Sequence, residues 1–211
     1  AQVGGLMNGT TCVIYDGNPG GSKDNPDWST LWRFAAENKV TFFGAGAAFF
    51  ANCQKSGIDL TQCGDLSRVR ALGTTGSPLS PETQNWGNEQ FQRIKTQHAH
   101  SPYLHRETDG DIWWCNISGG TDFCGAFIGG NRELPQEAGV MQCRLLGCAV
   151  EAWNEAGEPV HGEVGELVCS QPIPSMPLYF WNDKNNARYL ASYFEMYPAG
   201  HGRKPGGGDA D

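Results

Sequence analysis

The sequence has no cluster of lysines and arginines, no C-x-x-C pair and no apolar run long enough to cross a bilayer. Each absence closes off a class of function. Gripping a nucleic-acid backbone takes grouped cations, whereas 15 lysines and arginines stand against 23 aspartates and glutamates here, a formal net charge of −8. No nucleic-acid partner is expected. A membrane helix needs about 20 consecutive apolar residues, so no membrane span is expected either. The first stretch, "AQVGGLMNGTTCVIYDG", lacks an initiator Met, a basic start and a long apolar run. It reads as neither a signal peptide nor an anchor, but as a chain begun within a domain.

Eight cysteines (Cys12, Cys53, Cys63, Cys115, Cys124, Cys143, Cys148 and Cys169) are present, yet without metal-site spacing, and a chain of this size needs no staples. Five of them, Cys12, Cys115, Cys143, Cys148 and Cys169, lie in or beside strand-like runs. Buried free thiols in a reducing cytoplasm are the expectation. His98 and His100 form an H-x-H pair in a polar stretch with no acid or thiol close by in sequence, which reads as a surface loop.

What is present is an ordinary globular balance: 211 residues, 39% hydrophobic and 18% charged, enough for a sizeable core. Strand and helix signals alternate. "TCVIYDG" is a β-branched run stopped by Asp16-Gly17. Trp28, Leu31, Trp32 and Ala35 fall at i, i+3, i+4 and i+7, which predicts a helix capped by Asp27 or Ser29. "VTFFG" predicts a strand, "AGAAFFANCQK" a helix ending near Gly57, and "RVRALG" a further strand. Ser80 as cap and Pro81 at the first helical position, where a missing N–H costs nothing, open a helix to Lys95. "DIWWCNI" is the fourth strand. The tryptophans in these elements, Trp28, Trp32, Trp113 and Trp114, read as core or sheet-covering side chains.

The alternation predicts an α/β fold, a mainly parallel sheet flanked by helices, over residues 1–139. From Val140 the texture changes to short runs, "CRLLGCAVEAW" and "GEVGELVC", with a turn at Asn154 to Gly157. This predicts an antiparallel β subdomain over 140–199. Three prolines make "SQPIPSMPLYFWND" an ordered loop or edge, and "NNARYLASYF" predicts a short helix. Residues 200–211 lose all periodicity and are expected to be flexible. Glu163 and Glu166 flank a turn, and nothing in the sequence brings them together as a hydrolytic pair.

Two glycine-bearing stretches carry candidate chemistry, because ligands of parallel sheets gather at the carboxyl ends of strands. "LGTTGSPLS" looks like a phosphate-gripping loop, except that Leu79 stands where the lysine belongs. "NISGGTD" offers Thr121, whose hydroxyl can donate to a phosphate, and Asp122, whose carboxylate can hold magnesium. A strand followed by a tight turn explains the same residues as simply.

Taken in order and spacing, "GLMNGTTCVIYDGNP", "VTFFGAG", "DLSRVRALGTTGSPLSPE", "SGGTDFCGAFIGGNRELP", "PSMP" and "FWND" resemble the acetoacetyl-CoA synthetases of the adenylate-forming acyl-CoA synthetase superfamily, over about residues 1–198. The resemblance implies an AMP-forming ligase that uses ATP, Mg2+ and CoA to activate acetoacetate. It implies that Gly76, Ser77 and Pro78 line the adenine, with the true phosphate loop upstream, so that Leu79 is no damaged lysine. It places Asn116 at the adenine amino group, Thr121 at the α-phosphate and Asp122 at magnesium, the last two as the catalytic pair. Two departures follow from the same alignment of motifs. Ser118 stands where an aromatic would stack on the base, and Asp122 replaces a Glu one methylene longer. Gly119, where acetate-specific relatives have an indole, implies with Gly120 an acyl pocket open to longer acids, so that Gly119→Trp is expected to favour acetate.

The family's phosphate loop, ribose-binding Asp and C-terminal lysine have no counterpart here. The end, "AGHGRKPGGGDAD", departs from the pattern as a shifted reading frame would, and the segment is expected to be inactive alone. A non-catalytic nucleotide-binding or scaffold protein, or a ligase for another short 3-oxo or branched acid, remain as the other readings.

Overall fold

The structure, a computed structural model, describes residues 2–100 and 112–197; the expectation of a flexible tail at 200–211 lies outside them. The described chain divides into two units: one of residues 1–117 with 129–142, the other of residues 118–128 with the remainder from Cys143. The chain passes between the units at three places: after Ile117, after Ile128 and after Gln142.

In the first unit, α1 (Gln2–Met7) and α2 (Thr30–Glu37) precede β1 (Phe42–Gly46), α3 (Ala47–Lys55), β2 (Ala71–Thr75), α4 (Pro81–Gln97) and β3 (Trp113–Asn116). The three strands form one parallel sheet in the order β1-β2-β3. This is the α/β arrangement expected from the alternating pattern. The "TCVIYDG" strand is not formed: residues 11–17 are irregular, with Val13 and Ile14 exposed. A strand exists only through a ladder to a neighbour, and among the described residues none pairs with this run.

Aromatic side chains hold the core of this unit. Trp32 (0% exposed) stacks on Phe43 at 4.4 Å between centroids and donates its indole N–H to Cys53 Sγ at 3.3 Å. Phe50 meets Trp114 edge-on at 5.1 Å. Trp28 and Leu31 pack half-buried on the same cluster, as the i, i+3, i+4, i+7 spacing requires. Trp113 is the less buried of its pair, with Arg132 over its ring and its N–H donated to Gln142. Asp27 accepts from the Ser29 N–H at the entry to α2, while Ser29 makes no side-chain cap bond. The hydrogen bond from the Ser29 hydroxyl, then that from Arg33, hold the Asp27 carboxyl down at about 2.

The thiols depart from expectation. Among the described residues none forms a disulfide, but only Cys53 and Cys63 are buried; the five near strands are half-buried and Cys124 is exposed. Cys53 lies on the inner face of α3, where helix spacing rather than strand alternation hides it. Burial pushes its pKa from 9.0 to about 12. A thiol pKa raised on folding contributes stability that is present below about pH 9 and is lost as pH rises toward 12. Only thiolates alkylate well. We therefore expect iodoacetamide at pH 8, followed by mass spectrometry, to modify Cys124 first and Cys53 only when denaturant opens the core. Rapid native labelling of Cys53 would contradict this packing.

The second unit is β-rich. β4 (Ser118–Gly120), β5 (Gly125–Gly129) and β6 (Cys143–Arg144) form one sheet, and β8 (Pro159–Val160), β7 (Val150–Trp153) and β9 (Glu166–Cys169) another, in that order. The β7 pairings are antiparallel, and the expected turn is present: Gly157 has φ +76 and its N–H donates to the Asn154 carbonyl. Glu163 and Glu166 are both exposed. "PSMPLYFWND" is a loop leading into α5 (Ala187–Phe194). Asp183 accepts from the Arg188 and Tyr189 backbone N–H groups, which lowers its pKa. The FWND segment thus serves as a helix entry, with Phe180 packed on Tyr189 and Tyr193.

Candidate functional site

Because β2 and β3 are parallel neighbours, their carboxyl ends lie side by side. Thr74 is the Cα partner of Asn116, and the Ile117 N–H donates to the Thr74 carbonyl at 2.9 Å, one step beyond the strand. Past β2, Gly76 takes φ +91, a conformation that favours glycine. Residues 75–78 are exposed. Leu79 then turns inward at 6% exposure to join the aromatic core, and Ser80 caps α4 by accepting from the Thr83 N–H. Position 79 thus faces packed hydrocarbon, the wrong surroundings for a phosphate-binding lysine.

Asn116 is 8% exposed. Its Nδ2 donates to Gln84 Oε1 at 3.2 Å, but its Oδ1 has no partner, and neither does the Oγ1 of buried Thr74. A buried acceptor without a donor costs about 1–3 kcal/mol. Two such atoms on register-paired residues are the polar signal of this strand end. The family motif points to Asn116 but not to Thr74 or Gln84. The signal for Thr74 was a hydroxyl inside an otherwise buried strand just before a turn glycine. That for Gln84 was an amide on the buried face of α4, at i, i+3, i+7 and i+10 with Gly87, Phe91 and Ile94.

The remaining predicted residues lie on a hairpin of the second unit. Ser118, Gly119 and Gly120 form β4, antiparallel to β5, with a register shift between Ser118 and Gly119. Thr121 and Asp122 are exposed on the turn, which Cys124 closes at φ +51 by donating its N–H to the Thr121 carbonyl. Phe123 anchors the turn by stacking on Phe127 at 4.3 Å. The strand-and-turn reading of "SGGTD" is what the backbone forms, and it leaves Thr121 and Asp122 pointing their chemistry at solvent.

Gly119 packs closely against β5. A Cβ there would lie against the Gly125 carbonyl oxygen and 2.7 Å from Ala126 Cα. Its missing side chain is occupied by the neighbouring strand, not by open space, so it supplies no room for an acyl group in this pairing. At Gly120 a Cβ would meet Asp122 Oδ1 and Phe123, side chains rather than backbone.

Among the described residues no three His, Cys, Asp or Glu gather as a metal-holding group. His98, expected on a polar loop, closes α4 with Nδ1 3.7 Å from Asp65 Oδ1, an acid remote in sequence. No helix among the described residues is long and apolar enough to cross a membrane.

No protein-family model matches the chain. Whole-sequence comparison does find relatives: an acetoacetyl-coenzyme A synthetase of Rhizobium meliloti is 37% identical over 193 residues, 92% of this chain. An acetoacetyl-CoA synthetase of Gallus gallus is 34% identical over 196 residues, 93% of this chain. Over nearly its whole length the chain is similar to part of an acetoacetyl-CoA synthetase. It spans 26% of the length of each of these curated relatives. Among solved structures, the acetoacetyl-CoA synthetase from Streptomyces lividans superposes with a TM-score of 0.76 at 39% identity, over 93% of this chain and 28% of that one. An anthranilate CoA ligase shares the fold, with a TM-score of 0.63 at 18% identity over 86% of this chain and 30% of its own. The mixed parallel and antiparallel architecture is therefore that of acyl-CoA synthetases.

Proposed function

We propose that this chain supplies the adenine-binding part of an AMP-forming acid–thiol ligase that activates acetoacetate to acetoacetyl-CoA. The observation that carries the proposal is the unpartnered, buried Asn116 Oδ1 at the end of β3, beside the exposed small-residue turn that ends β2. An acceptor next to a wall of Gly76, Ser77 and Pro78 suits a flat base with an amino group. The acid is taken from the relatives' names.

In this reading the adenine amino group donates to Asn116 Oδ1 and the purine face lies along the 76–78 turn. By the family resemblance, Ser118 stands where an aromatic would stack on the base. Thr121 donates its hydroxyl to an α-phosphate oxygen. The single exposed carboxylate of Asp122 fits a magnesium ion held otherwise by phosphates and water, the usual mode for that ion. Magnesium would neutralise phosphate charge there. The acid's carboxylate oxygen attacks the α-phosphorus and pyrophosphate leaves; the CoA sulfur then attacks the acyl carbon, its proton going to solvent, and AMP leaves. The chain's part is positioning and charge neutralisation. Eight cysteines with no disulfide among the described residues support a reducing, cytoplasmic setting.

Calorimetric titration of AMP into the chain tests the central contact. Wild-type protein should bind AMP, and Asn116→Leu, similar in volume, should weaken binding roughly tenfold, the scale of one buried hydrogen bond. Equal affinity in a folded Asn116→Leu protein would remove Asn116 from the site.

A further inference from the structure

Asn116 could present either its oxygen or its NH2 to a ligand, and the two would select opposite bases. Which one faces outward is decided by a neighbour on α4. Gln84 is 1% exposed, and its Oε1 accepts from the Gly139 backbone N–H at 3.0 Å. A backbone N–H can only donate, so the Gln84 amide has one permitted orientation. Gly139 cannot drift to relax this. Its φ is +80, and a Cβ there would lie 2.7 Å from Pro81 Cγ, so its backbone sits hard against the start of α4. The same Oε1 accepts from Asn116 Nδ2 at 3.2 Å. An amide oxygen only accepts, so Asn116 must turn its NH2 toward Gln84. Its Oδ1 is the atom left over, and the one without a partner.

We propose that Gln84 is a positioning residue that sets the polarity of Asn116, and thereby makes the site prefer a purine with a 6-amino group over one with a 6-oxo group. The proposal rests on the adenine reading above and goes beyond it. The three polar groups lie in one unit and form a relay: backbone donor at 139, acceptor at 84, donor and then outward acceptor at 116. A 6-amino group donates to Oδ1 and satisfies it. A 6-oxo group sets carbonyl against carbonyl and leaves the buried acceptor unsatisfied. Thr74 Oγ1, the other unpartnered atom, can donate or accept and so does not discriminate. Both oxygens are closed off from solvent, so a nucleotide reaches them by displacing the protein atoms over them.

The test compares AMP with IMP by calorimetry for wild type, Gln84→Met and the double variant Gln84→Met/Asn116→Asp. Wild type should prefer AMP by roughly tenfold or more, the scale of one unsatisfied buried acceptor. Gln84→Met, similar in shape but without an acceptor, should approach parity, because Asn116 is free to turn over. The double variant should regain the preference, since a carboxylate accepts whichever way it lies. A structural role alone would weaken AMP and IMP together and leave their ratio unchanged, which would overturn the proposal. Failure of wild type to bind either nucleotide would overturn the adenine reading itself. A second measurement needs neither nucleotide nor variant. The Asn116 side-chain NH2 should show slowed hydrogen exchange by NMR in the wild-type chain, and fast exchange there would refute the relay.

Discussion

Leu79→Lys should unfold the first unit or bring it close to unfolding. Leu79 is 6% exposed within the cluster that contains Trp32, Phe50 and Trp114. Removing a buried leucine side chain from such a core costs about 2–5 kcal/mol. An ammonium placed there without a partner adds a desolvation penalty that the side chain can lessen only by leaving the core or losing its proton. Domains of ordinary stability have about 5–15 kcal/mol to lose. We therefore expect a large drop in the denaturation midpoint followed by tryptophan fluorescence, with Trp32 and Trp114 as reporters. The substitution also separates two interpretations of the turn. If residues 72–80 were a phosphate loop awaiting its lysine, the variant would stay folded and bind pyrophosphate more tightly. A stable Leu79→Lys protein with that gain would overturn the packing described here.

Gly119→Trp should break the β4–β5 hairpin instead of tuning the choice of acid. The Gly125 carbonyl and the Ala126 Cα, 2.7 Å from an added Cβ, are backbone that cannot step aside as a flexible side chain would. Overpacking a well-filled site costs about 1–3 kcal/mol and sometimes more, and here the clash begins at the first carbon. The expected result is that Gly119→Ala already destabilises and Gly119→Trp does so more strongly. Loss of the Phe123–Phe127 stack should register in near-ultraviolet circular dichroism. A Gly119→Trp chain with unchanged spectrum and melting temperature would mean that the hairpin opens a pocket at this position after all.

The difference between the two glycine stretches shows how far local pattern reaches. Around Leu79 the sequence carried much of its own explanation: a strand, a run of small residues with a glycine, then Ser80 and Pro81 opening a helix. Each step is a short-range steric or hydrogen-bonding rule, and the structure follows it to within a few residues. At Gly119 short-range rules say less. A glycine in a chain leaves a space by its formula, but whether that space is empty depends on another strand, and β5 fills it. The run at 11–17 failed for a related reason, since β-branched residues favour a strand only where a partner supplies the other half of the ladder.

Side-chain amides fall on the far side of that line. Gln84, Asn116 and Gly139 are 32 and 23 residues apart in turn, and no periodicity connects them; helix spacing could place Gln84 on the inner face of α4 but could not say what it would meet. The exposure of Cys124 and the approach of Asp65 to His98 were hidden in the same way.

Composition, period and capping residues were enough to establish an α/β chain with a parallel sheet and antiparallel β strands after it. Those features arise from interactions among residues a few positions apart, which the order of side chains encodes directly. Folding alone decided which amide atom is left unpaired, which thiols are hidden and which glycine has room beside it. Each of these depends on contact between segments remote in the chain, where a shift of an ångström separates a hydrogen bond from a clash.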